Sequence, residues 1–153
     1  MNGYRVTTLI FGALMMGVLS FAVVVTVLVT TGTVKPALTP PAGAGAQAGI
    51  PLPQLLAIIA ALATMSAIPL AFVLRARTLA RTGTAAEASW RMGHIIAGAI
   101  LEGAGLLCCV FALITGNLAF LAGTGLMLAA MGVLFPTPAR AEIWAAEVAD
   151  LRP

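Results

Sequence analysis

Charge is scarce in this chain. Of 153 residues only 8% are Asp, Glu, Lys or Arg, while 61% are hydrophobic; a soluble domain carries about 25% charged residues. A domain of this size leaves much of its surface exposed, so no water-soluble fold hides so many apolar side chains. Lipid is the solvent that removes the contradiction. Histidine occurs once, which excludes a two-histidine metal site within one chain. Neither a Walker-type phosphate loop nor a GxSxG elbow is present. The chain therefore reads as a non-enzyme with no metal and no cofactor. The two cysteines, Cys108 and Cys109, are adjacent within an apolar run. That arrangement excludes a disulfide framework and metal-ligand spacing, and leaves small polarizable packing residues. The net charge is +3, but no basic run or interleaved aromatic stripe points to nucleic acid.

What the chain does have is long apolar runs. A spanning helix needs about 20 mainly apolar residues, and four segments qualify: about 8–30, 52–74, 93–115 and 118–135. The expected fold class is all-α, an integral membrane four-helix bundle formed by a single transmembrane domain over residues 1–153. The first run is about 23 residues long, whereas the apolar core of a signal peptide is about 7–15; a retained helix is expected. Pro69 lies inside the second run and predicts a kink there.

The connections differ in chemistry. Residues 31–51 are rich in Pro, Gly and Ala, and Pro36, Pro40, Pro41, Pro51 and Pro53 oppose regular helix. Residues 75–92 carry Arg75, Arg77, Arg81 and Arg91 against one acid, Glu87. The turn Thr115-Gly116-Asn117 is short enough to make the third and fourth helices antiparallel neighbours. By the positive-inside rule, the arginine loop is cytoplasmic. Arg5, Arg140 and Arg152 place both termini on the same side, and the 31–51 loop, with only Lys35, falls outside. A multi-pass protein of the bacterial inner membrane is expected. In the cytoplasmic tail, residues 136–153, Thr137 and Pro138 form a helix start. Trp144, Val148 and Leu151 then recur at helical spacing with Glu142, Glu147 and Asp150 between them. This predicts a short amphipathic helix, whose acidity favours a protein contact over anionic lipid.

One acid interrupts the spans. Glu102 lies nine residues past Gly93, about 13 Å into the layer and near the midplane of a core about 30 Å thick. An ionised carboxylate there costs at least about 2.5–3.5 kcal/mol, so it needs a proton, a cation or a donor beside it. Gly98, Ala99, Gly105 and Leu106 bracket it at helical spacing, with Cys109 one turn on. The fourth run has a similar small face in Gly125, Ala129 and Gly132, and the first has Gly12, Ala13 and Gly17. Small faces let helices pack closely. Two readings follow: a midmembrane proton- or cation-binding site at Glu102, or a neutral carboxyl hydrogen-bonded to Ser66, Thr64 or Thr124 of a neighbouring helix. His94 is about 12 Å along the helix from Glu102 and about 80° around it, too far to touch. With Trp90 and Arg91, and with Trp144 in the tail, it is expected to act as an interface anchor.

The sequence Ile100-Leu101-Glu102-Gly103-Ala104-Gly105-Leu106-Leu107, followed by Val110-Phe111-Ala112-Leu113-Ile114, resembles the ion-binding helix of proteolipid subunit c of rotary ATP synthases. The resemblance implies that Glu102 is the ion-carrying carboxylate and that the basic loop before it replaces that family's polar loop. It covers about 20 residues. Where the family has a glycine repeat, the second helix here reads Ala60-Ala61-Leu62-Ala63-Thr64, and the loop lacks Arg-Gln-Pro. The whole chain is similar to small bacterial four-helix membrane proteins with a Glu-Gly pair in the third helix. Small multidrug exporters share four helices and one membrane glutamate, but theirs lies in the first helix, which has no acid here.

The leading expectation is a small non-catalytic membrane protein that packs into a homo-oligomer or a larger membrane complex. Its partners would be the lipid bilayer, copies of itself or other membrane subunits. The alternatives are a proton- or cation-coupled protein working through Glu102 and a small-molecule exporter.

Overall fold

A computed structural model describes residues 2–33, 50–80 and 86–150, with side-chain surroundings for 4–33, 50–80 and 87–146. The predictions resting on Lys35, Pro36, Pro40, Pro41, Arg81, Leu151 and Arg152 lie outside the described residues, as do the side chains of Glu147, Val148 and Asp150. Every described element is helical: α1 (Asn2–Thr30), α2 (Leu52–Leu79), α3 (Ala86–Thr115), a 3-10 turn (Leu118–Phe120), α4 (Leu121–Leu134) and α5 (Pro138–Asp150).

Three of these helices, α1, α2 and α3, are long and apolar enough to cross a membrane. With 29, 28 and 30 residues they extend about 42–45 Å, beyond a hydrocarbon core of about 30 Å. The surplus is where helix outruns the apolar run. No glycine or proline interrupts α2 between Pro69 and its end, so Arg75 and Arg77 stay in its last turns. The expected 75–92 loop is thus largely helix. The boundaries have local causes. Gly32 takes φ +66° just past α1, the left-handed stop at which glycine is unstrained. Pro53 sits in the first turn of α2, where its missing N–H is an orphan donor anyway. α2 passes through Pro69 without a break.

The expected fourth span is not one helix. Residues 118–135 divide into the 3-10 turn, capped by the Asn117 side chain accepting from the Ala119 N–H at 3.0 Å, and the 14-residue α4. At about 21 Å, α4 alone is shorter than the core of a bilayer. Phe135 turns extended, with ψ 124°, as the residue before a proline prefers. α5 then leaves at 52°, and a fourth span exists only if this bent pair counts as one. The predicted start of α5 is present: the Arg140 N–H donates to Thr137 Oγ1 at 3.4 Å.

Contacts between the helices give their directions. Arg75 meets His94 and Thr64 meets Cys108, so α2 and α3 are antiparallel. Gly105 meets Met127 and Cys108 meets Gly123, so α3 and α4 are antiparallel. Tyr4 stacks edge-on against Trp90, and Gly17 lies beside Glu102, so α1 and α3 run the same way. α2 and α4 thus pack antiparallel to α3 and α1 packs parallel to it, with α3 at the centre. Phe11, Ala67, Ala71, Ala97, Leu101, Met127, Met131 and Leu134 form the main core.

Candidate functional site

Glu102 lies close to the middle of α3, and Gly17 close to the middle of α1. A β-carbon placed on Gly17 would lie 3.6 Å from Glu102 Oε1, so the missing side chain is what makes room for the carboxylate. Glu102 is half-buried at the rim of the α1–α3 contact, next to the exposed residues Ala99, Gly103 and Gly17. No hydrogen bond or ion pair reaches it from the described residues.

The hydroxyls expected to satisfy Glu102 are engaged elsewhere. Thr124 donates to the Gly105 carbonyl at 3.0 Å and lies 3.3 Å from Cys109 Sγ. Thr64 lies 3.7 Å from Cys108 Sγ, and Ser66 donates to the Ala63 carbonyl of its own helix. The two cysteines are free and buried, packed as the sequence suggests.

The small residues divide into two groups. Gly98, Gly105 and Cys109 do pack: Gly98 accommodates Phe11 and Leu14 of α1, and Gly105 accommodates Val18 and Met127. Ala99, Gly125, Ala129 and Gly132 are exposed instead. A β-carbon on Gly125 or Gly132 would meet nothing within 4 Å. The small face of α4 is therefore not packed against Glu102 by the described residues. Helical spacing identifies a face, and leaves open which neighbour covers it.

The expected anchors also move. Trp90 and His94 are 1% and 0% exposed, so their rings point into the bundle rather than out to an interface. Arg91 and Trp144 are half-buried. His94 stacks on Trp90 with ring centroids 4.1 Å apart. Arg75 Nε donates to His94 Nε2 at 3.1 Å, and His94 Nδ1 lies 2.8 Å from the Trp90 carbonyl. Sequence reasoning missed this pair. An antiparallel α2–α3 hairpin brings the arginines ending α2 beside the first turns of α3; only the rotation of each helix selects Arg75 and His94.

Chemically, Glu102 offers one carboxylate with room beside it. No group of three or more His, Cys, Asp or Glu that could hold a metal ion occurs among the described residues. A groove of about 480 Å³ between α2 and α4, lined by Ala57, Ala61, Thr64, Cys108, Phe120 and Gly123 among others, does not include Glu102. Compared with protein-family models, with curated proteins and with solved structures, the chain matches none.

Proposed function

We propose that the chain crosses the bilayer four times, with the bent α4–α5 pair forming the last crossing. Both termini and the arginine-bearing end of the α2–α3 hairpin lie on the cytoplasmic side. On this reading it is a small non-catalytic subunit that assembles with copies of itself or with other membrane subunits through the face around Glu102.

One observation carries the reading: a carboxylate near mid-helix, beside exposed Gly17, Ala99 and Gly103, with no partner among the described residues. In hydrocarbon an unsatisfied polar group costs several kcal/mol, so its partner comes from outside the described residues, and on this reading from a second chain. The small residues around it let another backbone approach. Cysteine placed at Gly103 tests this directly. Disulfide cross-linking between copies in native membranes is the expected result, together with stoichiometric association by native mass spectrometry. A chain that remains monomeric in native membranes refutes it.

The unpartnered carboxylate also favours a second reading, the proton- or cation-binding role implied by the resemblance to subunit c. Here a carbodiimide labels Glu102, and Na⁺ or high pH slows the labelling. Glu102→Gln that leaves every ion flux unchanged in proteoliposomes excludes this second reading.

A further inference from the structure

The end of the bundle that carries Tyr4, Trp90 and Pro136 brings together positively charged side chains that form no ion pair among the described residues. Ala71 lies one turn before Arg75, Ala97 one turn after His94, and Leu134 ends α4; all three belong to the same core cluster. Arg75 and His94 thus meet at the rim of that cluster. Arg140 folds back onto the same rim from α5, its Nη1 donating to the carbonyls of Val133 and Phe135. These are orphan acceptors at the end of α4, and they hold the guanidinium in place. The charge of Arg140 acts on both Arg75 and His94.

Two guanidinium groups held this way repel each other, more strongly where the dielectric is low. Neither has an ion pair among the described residues, and the acids described at this end, Glu87 and Glu142, are exposed and bond to neither. Both arginines keep donors in hand. Among the described residues Arg75 uses only Nε, on His94, and Arg140 only Nη1. His94, fully buried and stacked on Trp90, fixes the direction of the Arg75 fork, whose Nη1 and Nη2 bond to no described residue. A planar fork with free N–H groups matches the oxygens of a phosphate.

We propose that Arg75 and Arg140 together bind a phosphate group, either that of an anionic phospholipid headgroup or a free phosphate ion. His94 and the carbonyls ending α4 hold the two guanidinium groups ready. The site stands on this side-chain geometry. Only the lipid source rests on the membrane placement proposed above, and the experiment separates the two.

The full chain in detergent micelles is titrated with phosphatidylglycerol and with phosphatidylcholine of equal chain length, and retention is read by native mass spectrometry. Equilibrium dialysis with labelled inorganic phosphate forms the second arm. Preferential retention of phosphatidylglycerol that inorganic phosphate does not displace assigns a lipid headgroup; phosphate binding that displaces it assigns the free ion. Arg140→Gln, which keeps an amide donor for the α4 carbonyls, is expected to weaken binding about fivefold, the effect of roughly one basic residue near an anionic headgroup. Arg77→Gln, at an exposed arginine on the same end of α2, is expected to change nothing. Arg140→Lys, which keeps the charge and loses the fork, should fall between, and it carries the comparison if the Gln variant does not fold. The proposal is overturned if both lipids are retained equally with no phosphate bound, or if Arg77→Gln weakens binding as much as Arg140→Gln.

Discussion

Arg75 Nε lies 3.1 Å from His94 Nε2, and an arginine can only donate. His94 Nε2 is therefore the acceptor, and the ring proton resides on Nδ1, 2.8 Å from the Trp90 carbonyl. The imidazole is neutral, and both its nitrogens are engaged. This pair joins α2 to α3 at the end of the bundle where both helices outrun the apolar core.

Replacing His94 by Leu keeps bulk and removes the acceptor. Hydrogen bonds to charged groups contribute about 1.5–3 kcal/mol, so a loss of that order is expected. His94→Gln, whose amide oxygen can still accept from Arg75, should lose less. Unfolding in a mixed-micelle denaturant titration, followed by tryptophan fluorescence, checks both. Equal losses for Leu and Gln would show that packing against Trp90, not the hydrogen bond, is what matters.

Gly98 and Gly103 lie five residues apart on α3 and predict opposite behaviour. A β-carbon at Gly98 would come within 2.9 Å of the Phe11 ring and 3.2 Å of Leu14. Gly98→Leu must then push α1 from α3, and overpacking of this kind costs about 1–3 kcal/mol. At Gly103 a β-carbon meets nothing within 4 Å, so Gly103→Leu should not destabilise the single chain and, by removing a helix glycine, should stabilise it by up to about 1 kcal/mol. Under the assembly reading it blocks the approach of a second chain and shifts the size distribution in sedimentation experiments toward monomer.

These differences explain what the chain's sequence reveals. Apolar run length is a one-dimensional property, and it identifies α1, α2 and α3 without reference to neighbours. The fourth run is broken rather than continuous because of its termini: Asn117 captures one end in a 3-10 turn, and Pro136 and Pro138 bend the other. Glu102 stands out because a charge in an apolar run needs no alignment to be noticed. Its surroundings do not, since Gly125, Ala129 and Gly132 have the spacing of a packed face and yet are exposed. Trp90 and His94 look like interface residues by type and position; their burial is set by the approach of Tyr4 and Arg75 from two other helices.

The α3–α4 turn tests a conformational constraint. Gly116 has φ +68°, in the region where a side chain is strained. Gly116→Ala is expected to cost about 1 kcal/mol, read as a lowered unfolding midpoint. Asn117→Ala removes the cap that accepts from the Ala119 N–H and should cost a similar amount. The two act on one turn, so the double variant should show a coupling that separated sites lack.

Glu102→Gln separates a structural role from a functional one. Gln has nearly the same shape and carries no charge. Because the carboxylate has no bond to the described residues, unfolding of the isolated chain should change by less than about 0.5 kcal/mol, as for substitutions away from specific contacts. Association should weaken if a second chain supplies the partner of the carboxylate. Sedimentation equilibrium in detergent measures that change, and chemical unfolding at a concentration where the chain is monomeric measures the other. A large loss of monomer stability would mean that the carboxylate is bound within the chain after all. Unchanged unfolding and unchanged association, with an ion flux lost in proteoliposomes, would leave ion binding as the role of this residue.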